Sequence, residues 1–421
     1  MRAGERDRQD RPGGIFIYGY HGFQNVGAEC RMLAIVDQLR RRLPEIRITV
    51  SSFHRGHLSH VDGAEVVVFH PASYRWAARR HIGAADVLVL AEGNMLTDEF
   101  SPHMVLAFIT AIEQATELGT ASVGLALDSG SLSSGRVARV VEALNGTSLL
   151  TVRTPQARTV LAGMGVTRPI EVTGDCAVSL PPAPDERQVG ARLGLSGGVV
   201  HGIAPVDFHM WPARVNPLGL PRDFVRWPFK ATWPDGGRAR TEILAAAWTS
   251  YGLWLLDRDR SAQLAMIAMD PSDRHLCQMI AGRLPAGRVR TLSGTEVDCR
   301  SMSAVIGGLS TIATSRYHAL VLAMARGVPS LALGHDTRMA FLADEMGLAE
   351  LHIRHDAPGL AEQLIERHAQ LERCRPQVST RMKAQHTRMQ AADRRNYELV
   401  ASLCEQLGHL RARPSPPEGT H

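Results

Sequence analysis

The sequence predicts an α/β protein with two similar halves, each a doubly wound parallel sheet, that face each other across a cleft. Three observations lead to this prediction: short apolar runs alternate with amphipathic segments, the alternation pauses once at a proline-rich stretch, and it then restarts. A strand, a helix and a second strand form a right-handed βαβ unit, which favours a parallel sheet covered by helices on both faces. The chain of 421 residues is long enough for two such domains.

The first half is predicted from six short apolar runs, each bounded by glycine or polar residues. These predicted strands are 14–19, 46–51, 65–69, 86–91, 121–127 and 148–153. Helical patterns such as 26–42 and 101–118 lie between them. We expect this half to extend over 14–180, after a disordered tail over 1–13.

The second half is predicted after a linker over 181–190, which begins with prolines. Its strands are predicted at 198–205, 263–269, 288–292, 310–315 and 329–334. This half extends over 191–376 and is followed by a long helix over 377–410 and a disordered tail over 411–421. Between its first two strands the sequence carries an insertion, 205–237.

Composition narrows the class of protein. A hydrophobic content of 44% and a charged content of 21% are ordinary for a globular protein, and a net charge of +5 suits anionic substrates but is too mild to indicate nucleic acid. The six scattered cysteines form no CxxC pair, so neither a disulfide framework nor a zinc site is indicated. The longest uncharged apolar stretch, 243–256, is shorter than the roughly 18–20 residues that span a bilayer. The N-terminus has no apolar signal segment, and we expect a cytoplasmic protein.

Ligands of such folds bind beyond the carboxyl ends of the strands, in the cleft between the domains. After the first strand comes the glycine-rich turn GYHGFQNVGAEC, which contains Gly22, Asn25, Gly27 and Glu29. Glycines let backbone N–H groups approach an anion, and a helix N-terminus favours negative charge. The alternative is a tight bend with ordinary capping of the helix by Asn25 and Glu29.

Polar residues follow other predicted strands. Glu92 and Asn94 follow the fourth strand, Arg153 ends the sixth, and Asp175 follows a further short strand. An arginine at the end of a buried strand is costly unless it is paired or binds an anion, which favours a functional role for Arg153. In the second half, the stretch SRYH, 315–318, stands where a strand gives way to a helix.

The assembled motifs resemble the polysaccharide pyruvyl transferase family. The resemblance rests on GYHGFQNVGAE, on VRTPQARTVLAGMGV followed by TGDCAVSL, and on the segment 310–348, in this order and spacing. It implies a two-domain GT-B-type fold. It also implies transfer of the enolpyruvyl group of phosphoenolpyruvate to sugar hydroxyls, with release of phosphate and usually closure of a cyclic ketal.

The resemblance also implies roles for individual residues. Arg153 and Arg316, one from each half, would bind the carboxylate and phosphate of phosphoenolpyruvate across the cleft. His318 would be the general acid–base that protonates the methylene carbon. The rest of the donor site would be Gly22, Asn25, Gly27 and Ser315. Phosphoenolpyruvate is a co-substrate in this scheme, which requires no cofactor and no metal.

The sequence departs from the family pattern at two loops that face the predicted cleft. Gly27-Ala28-Glu29 stands where Gly-Asp-Glu is usual, and Glu92-Gly93-Asn94 replaces a triple glycine. These departures change how an acceptor hydroxyl is bound or deprotonated, and they leave both the acceptor and ketal formation open. We expect Glu29, Glu92, Asn94 and Asp175 on the acceptor side.

The insertion 205–237 is rich in aromatic residues. It holds Phe208, Trp211, Phe224, Trp227, Phe229 and Trp233, with arginines between them. Such a segment suits stacking on a sugar ring and pairing with an anionic acceptor, and we predict that Trp211 and Trp227 bind the acceptor. The alternative is a packed satellite core or a dimer contact.

Two other classes of function compete with this interpretation. One is a GT-B glycosyltransferase that uses a nucleotide sugar, in which Glu296 would be the candidate ribose ligand. The other is a binding module without catalysis, which the retention of His318 disfavours. The acceptor is a sugar or sugar-like molecule in bacterial glycan or natural-product biosynthesis, either a lipid-linked glycan at the membrane surface or a small secondary metabolite. A homodimer is compatible with the sequence.

Overall fold

The computed structural model describes residues 14–54, 61–70, 73–93, 96–98, 102–130, 132–195, 198–210, 214–215, 218, 224–226, 229–230, 232–334 and 337–411. The predicted tails 1–13 and 411–421 lie outside these residues, except for Arg411, which ends the last helix.

The first half is a seven-stranded parallel sheet in the order β3-β2-β1-β4-β5-β6-β7. Its strands are β1 (Gly14–Tyr18), β2 (Arg47–Ser52), β3 (Glu65–Val68), β4 (Val87–Leu90), β5 (Ala121–Leu127), β6 (Leu149–Val152) and β7 (Ile170–Val172). Its helices are α1 (Val26–Arg42), α2 (Tyr74–Ala84), α3 (Pro102–Leu118), α4 (Ser134–Asn145) and α5 (Pro155–Gly163). The strand order reverses between β1 and β4, which are paired from Ile15↔Val87 to Tyr18↔Leu90.

The second half is a six-stranded parallel sheet in the order β13-β12-β8-β14-β15-β16. Its strands are β8 (Val200–Ala204), β12 (Gln263–Ala268), β13 (Val289–Ser293), β14 (Thr311–Thr314), β15 (Ser330–Gly334) and β16 (His352–Arg354). Its helices are α6 (Glu186–Arg192), α7 (Gly237–Arg258), α8 (Arg274–Ala281), α9 (Cys299–Gly307), α10 (Tyr317–Arg326), α11 (Thr337–Glu345) and α12 (Leu360–Arg373). Strand β16 escaped the sequence analysis because a three-residue segment with two polar side chains carries no apolar run.

The insertion forms a small antiparallel sheet in the order β10-β11-β9. Its strands are β9 (Arg214–Val215), β10 (Phe224–Arg226) and β11 (Phe229–Lys230). The predicted linker contains a helix, because α6 begins at Glu186 and packs against α9 of the second half. The prolines of the linker all precede this helix, and Glu186 lies in its first turn, where an acidic side chain is favourable.

The cores follow from the two-residue period of the strands. In β1, Phe16 and Tyr18 enter a core that is covered by α2, α3 and α4, whereas Ile15 and Ile17 enter the core under α1. The second sheet has its own large core, which Val26 at the start of α1 also joins. The two halves therefore share apolar packing at the N-terminal end of α1.

The last helix, α13 (Arg375–Arg411), connects the two halves. It packs against α10 of the second half and returns to the first half, where it packs against α1, β5 and β6. Tyr397 and Val400 of this helix are fully buried in the core of the first half. Within the described part of the chain, no helix combines the length and apolar character that crossing a membrane requires.

Candidate functional site

The carboxyl ends of the two sheets meet at the start of α1. The backbone N–H of Val26 donates to the carbonyl of Met269, which follows β12, at 2.8 Å. The side-chain amide of Asn25 donates to Asp270 Oδ2, also at 2.8 Å. Asn25 caps α1 as well, since its Oδ1 accepts from the N–H of Ala28 at 2.9 Å. The capping interpretation of Asn25 is confirmed, and the same side chain ties the halves together.

Two glycines of the turn after β1 are required by close approach. Gly22 has φ +78°, and a Cβ there would lie 2.1 Å from Ser52 Oγ. A Cβ at Gly27 would lie 2.1 Å from Nδ1 of His318, which belongs to the second half. Glycine at position 27 therefore allows the imidazole of His318 to rest against the first turn of α1.

A buried cluster of charges lies beside this imidazole, and we call Arg31, Asp128, Arg153 and Asp175 the charged cluster. Asp175 Oδ2 accepts from Arg31 Nη1 at 3.1 Å and from Arg153 Nη1 at 2.7 Å, and its Oδ1 accepts from the N–H of Ala177. Although burial opposes ionisation, the two guanidiniums and His318 hold the pKa of Asp175 well below 3.8. The Asp175 carboxylate is therefore charged.

Arg31 fixes the edge of the sheet. It is fully buried on α1 and donates to the carbonyls of Ala91, Leu125 and Ala126 in addition to Asp175. These carbonyls lie at the ends of β4 and β5. One guanidinium thus satisfies backbone groups that the ending strands leave unpaired.

Arg153 connects the charged cluster to the second half. Its Nε and Nη2 donate to Asp128 Oδ2 at 2.9 and 2.7 Å, and its Nη1 donates to Asp175. The guanidinium carbon lies 4.4 Å from the ring centroid of Tyr317. An arginine at the end of a buried strand must be paired or bind an anion, and here Arg153 is paired.

His318 completes the junction. Its Nε2 lies 3.5 Å from Asp175 Oδ2, and 18% of its side chain is exposed. Burial lowers the pKa of His318 below 6.5, although Asp175 opposes this shift. The imidazole is therefore neutral at neutral pH, and it can take a proton while it stays beside a fixed carboxylate.

The side chain of Arg316 forms an ion pair with Asp273, which belongs to the same half. Its Nε donates to Asp273 Oδ2 at 2.8 Å, and its Nη2 donates to Asp273 Oδ1 and to Ser272 Oγ. Burial raises the pKa of Asp273 to about 6, with the Arg316 charge opposing the shift. The Arg316 side chain keeps 19% of its surface exposed, so part of the guanidinium remains accessible.

Glu92 is a buried acid at the end of β4. Its Oε1 accepts from the N–H of Gly93 at 3.2 Å, and its Oε2 has no hydrogen-bond partner among the described residues. Burial raises the pKa of Glu92, while the charges of Arg31 and Arg153 oppose this shift. The carboxyl that replaces a glycine of the family pattern is thus biased toward its neutral form.

Several residues predicted to bind a substrate are buried, and three others lie outside the described residues. Asp175 was assigned to the acceptor side, but its side chain is fully buried and both its oxygens have protein partners, so it acts as a counter-ion. Glu29 is 2% exposed in the first turn of α1, which also leaves no surface for an acceptor. Ser315 is buried, and its hydroxyl has no hydrogen-bond partner among the described residues. Asn94, Trp211 and Trp227 lie outside the described residues.

The insertion lies next to Asp273, the ion-pair partner of Arg316. Strand β10 packs against the turn Pro271–Asp273, which carries Asp273. The buried carboxylate of Asp207 anchors the ends of the insertion, because it accepts from Trp233 Nε1 at 3.2 Å, from the N–H of His209 and from the Thr241 hydroxyl.

Four residues of the site were not predicted from the sequence. Asp128 follows β5 directly, and Asp270 and Asp273 follow β12, so the rule that found Arg153 at a strand end also applies to them. Arg31 gave no such signal, because a single arginine in an amphipathic pattern ordinarily faces solvent. Glu296, the candidate ribose ligand, is an exposed partner of Arg274 at 3.6 Å. In the described part of the chain, no group of three or more His, Cys, Asp or Glu side chains is arranged to hold a metal ion.

Comparison with known proteins bears on this arrangement. The family model described as polysaccharide pyruvyl transferase matches residues 25–337, a range that includes the charged cluster and the turn at Arg316 and His318. No curated protein matches the chain.

Solved structures show the same fold. The UDP-GlcNAc 2-epimerase from Neisseria meningitidis, bound to UDP-GlcNAc, is similar over 94% of this chain and 100% of its own, with a TM-score of 0.57 and 10% identity. The UDP-GlcNAc 2-epimerase from Methanocaldococcus jannaschii is similar over 85% of this chain and 92% of its own, with a TM-score of 0.55 and 12% identity. The trehalose 6-phosphate synthase from Burkholderia multivorans is similar over 95% of this chain and 100% of its own, with a TM-score of 0.51 and 11% identity. The two halves are Rossmann-like domains of the GT-B type, as predicted, and at these identities the likeness extends to the fold alone.

Proposed function

This chain belongs to the polysaccharide pyruvyl transferase family, and we propose that it transfers the enolpyruvyl group of phosphoenolpyruvate to one or two hydroxyls of a sugar or sugar-like acceptor. The observation that carries the proposal is the junction of the halves, where His318 rests on Gly27 and on the carboxylate of the Arg153–Asp175 ion pair. A group suited to proton transfer thus stands beside fixed cations at the mouth of a helix N-terminus.

The donor site in this proposal uses Arg153 and Arg316 for the carboxylate and phosphate of phosphoenolpyruvate. A guanidinium has five N–H donors. Arg153 uses three of these donors on Asp128 and Asp175. Arg316 uses two on Asp273 and one on Ser272. The carboxylates therefore hold both guanidiniums in position. Arg316 keeps 19% of its side chain exposed and can bind an anionic ligand directly, whereas the Arg153 side chain is 2% exposed beneath Tyr317, so in this proposal it acts on the donor through its fixed charge. The donor residues Gly22, Asn25, Gly27 and Ser315 remain part of the same proposal.

The reaction begins with proton transfer. Protonated His318 gives its proton to the methylene carbon of phosphoenolpyruvate, and the neighbouring carbon gains oxocarbenium character. An acceptor hydroxyl attacks that carbon and loses its proton to the imidazole, and phosphate then leaves with the electron pair of its C–O bond, which restores an oxocarbenium-like centre. A second hydroxyl attacks this centre and loses its proton to solvent to close a ketal, whereas loss of a proton from the methyl group gives an enolpyruvyl ether. Asp175 stabilises the imidazolium, since its charge is fixed nearby.

The proposal is tested by phosphate release from phosphoenolpyruvate with a panel of hexose glycosides and a lipid-linked saccharide. Solvent deuterium should enter the methyl group of a ketal or the methylene group of an enolpyruvyl ether, and NMR distinguishes these two products of the same mass. The matched control is the His318→Gln variant. If no acceptor supports phosphate release although phosphoenolpyruvate binds, the proposed reaction is wrong.

A further inference from the structure

A row of aromatic side chains follows β1, β2 and β3, the three strands at one end of the first sheet. Tyr20 and Phe23 lie in the turn after β1, Phe53 follows β2, and Tyr74 begins α2 after β3. We call these four residues the aromatic row. The sheet order is β3-β2-β1, so the rings stand in the same order along the carboxyl edge as their strands.

The rings contact one another in sequence. Tyr20 and Phe23 are stacked, with centroids 4.2 Å apart and planes 8° apart. Phe23 and Phe53 are 4.7 Å apart, and Phe53 and Tyr74 meet edge to face at 6.1 Å. The backbone supports the row, because the N–H of Phe53 donates to the carbonyl of His21 at 3.0 Å.

The row is partly open to solvent and continuous with the candidate site. Phe23 is buried at 2%, whereas Tyr20, Phe53 and Tyr74 are half-buried. At the inner end, Tyr20 is near Arg316: although burial lowers the pKa of this arginine, Asp273, Asp270 and Tyr20 outweigh burial and the pKa is raised. The outer ring, Tyr74, follows β3, which lies two strands from β1, or about 10 Å at the usual strand spacing, and this is longer than one sugar ring.

We propose that the aromatic row binds the second ring of an extended acceptor, so that the sugar that receives the enolpyruvyl group is one end of a saccharide of at least two units. This inference rests on the proposed function. Aromatic faces pack against the apolar face of a sugar ring, and this row shares the turn after β1 with Asn25 and Gly27 of the candidate site, where the reacting sugar would bind.

The test compares acceptors that share a reacting sugar but differ in length. The probes are methyl β-glucoside against methyl β-cellobioside and methyl β-galactoside against methyl β-lactoside, with octyl β-glucoside as an alkyl arm. In each pair that supports turnover, we expect a lower KM for the disaccharide. Phe53→Leu and Tyr74→Ala should each remove about two- to tenfold of that advantage and leave the kcat/KM of the monosaccharide and the KM for phosphoenolpyruvate unchanged.

Control variants separate stacking from packing. Trp76→Ala removes an exposed aromatic side chain from α2, and residues two apart on a helix do not share a face with each other, so it should not alter the disaccharide advantage. Tyr74→Phe keeps the ring and should retain most of the advantage. Phe53→Leu keeps an apolar side chain, so the melting temperature should fall little.

Several outcomes overturn the inference. It fails if disaccharides gain nothing over monosaccharides, if the row variants affect both acceptors equally, or if octyl glucoside gains as much as cellobioside, which would indicate an alkyl site. Calorimetry of the disaccharides without phosphoenolpyruvate keeps the two proposals distinguishable. Row-dependent disaccharide binding without phosphate release contradicts the proposed reaction only, and phosphate release that ignores acceptor length contradicts this inference only.

Discussion

The carboxyl edge of the first sheet carries two regions of opposite chemistry. The aromatic row follows β1, β2 and β3, whereas three members of the charged cluster, Asp128, Arg153 and Asp175, follow β5, β6 and β7. The division falls at the reversal of strand order between β1 and β4, which is where open α/β sheets bind ligands. One edge can thus offer separate surfaces to two parts of a substrate complex.

The two regions are held together by different forces. Each guanidinium of the charged cluster is fixed by carboxylates at 2.7–3.1 Å, so its position is defined closely. The rings of the aromatic row meet through stacking and edge contacts, which are less directional. Fixed charges suit a reaction that needs one geometry, and rings suit a ligand whose identity varies.

The second half reaches the charged side of this edge. Tyr317 covers Arg153, and His318 contacts Asp175. We therefore expect changes at the charged side to alter turnover and folding strongly, and changes along the aromatic row to alter acceptor affinity modestly.

The largest expected effect is that of His318→Gln on turnover. Loss of a general acid–base costs about 10²–10⁴-fold in rate, and the glutamine keeps a polar side chain of similar size. We expect kcat for phosphate release to fall by that factor with little change in the affinity for phosphoenolpyruvate or in the melting temperature. Full turnover and full deuterium incorporation in this variant would show that another group, first of all Glu92, delivers the proton.

The second effect is on folding, in Asp175→Asn. Removal of one member of a buried ion-pair network costs about 3–5 kcal/mol in the free energy of unfolding, because Arg31 and Arg153 remain buried. Urea unfolding measures this loss, and Phe53→Leu should cost less than about 1.5 kcal/mol in the same assay.

The lowered pKa of Asp175 also predicts how the free energy of unfolding depends on pH. A depressed carboxyl pKa contributes stability that is complete above the ordinary value of 3.8 and is lost as pH falls below it. Asp175→Asn should therefore lack part of the acid sensitivity of the parent. Equal acid sensitivity in both proteins would contradict a charged Asp175.

A third effect concerns the donor. Arg316→Ala should weaken binding of phosphoenolpyruvate by about 1.5–3 kcal/mol, the contribution of a charge-assisted hydrogen bond. Calorimetry with phosphoenolpyruvate measures this change, and Arg274→Ala, which removes an exposed arginine with a weak partner at 3.6 Å, is the matched control. Unchanged donor affinity in the Arg316 variant would remove Arg316 from the donor site.

A fourth effect is the pH dependence of turnover. Burial lowers the pKa of His318, so the imidazole is less protonated at neutral pH than an ordinary histidine, and turnover should rise as pH falls below 7 toward that lowered pKa. The rising limb should be absent from the residual activity of His318→Gln. Because the unfolded chain takes up this proton more readily than the folded chain, the same fall in pH also lowers stability, and the melting temperature must be followed in parallel.

The smallest expected effect on folding is that of Glu92→Gln. Burial favours the neutral carboxyl, which an amide resembles, so the free energy of unfolding should change by about 1 kcal/mol or less. If turnover instead falls as far as in His318→Gln, Glu92 is the proton source. This comparison separates the two acids at the junction.

Much of the fold was predictable from local pattern. The predicted strands of both sheets are found with nearly the predicted limits, because buried parallel strands are short apolar runs between turn residues. The rule that strand ends carry ligands led to Arg153, Arg316 and His318, and the structure brings Arg153 and His318 to a common carboxylate. The same pattern could not reveal β16, the helix within the linker, or the aromatic row.

Two parallel sheets, the glycine-rich turn after β1 and the kinds of residue at the strand ends follow from the amino-acid pattern, because they depend on periodicity and on neighbours along the chain. The pairing of distant residues follows only from the folded arrangement. Arg31 meets Asp175 across 144 positions of sequence, and the last helix returns to the first half. The folded arrangement also made Asp175 a buried counter-ion in place of an acceptor ligand. Burial and charge pairing depend on all the residues that surround a group in space, and a linear pattern contains no record of them.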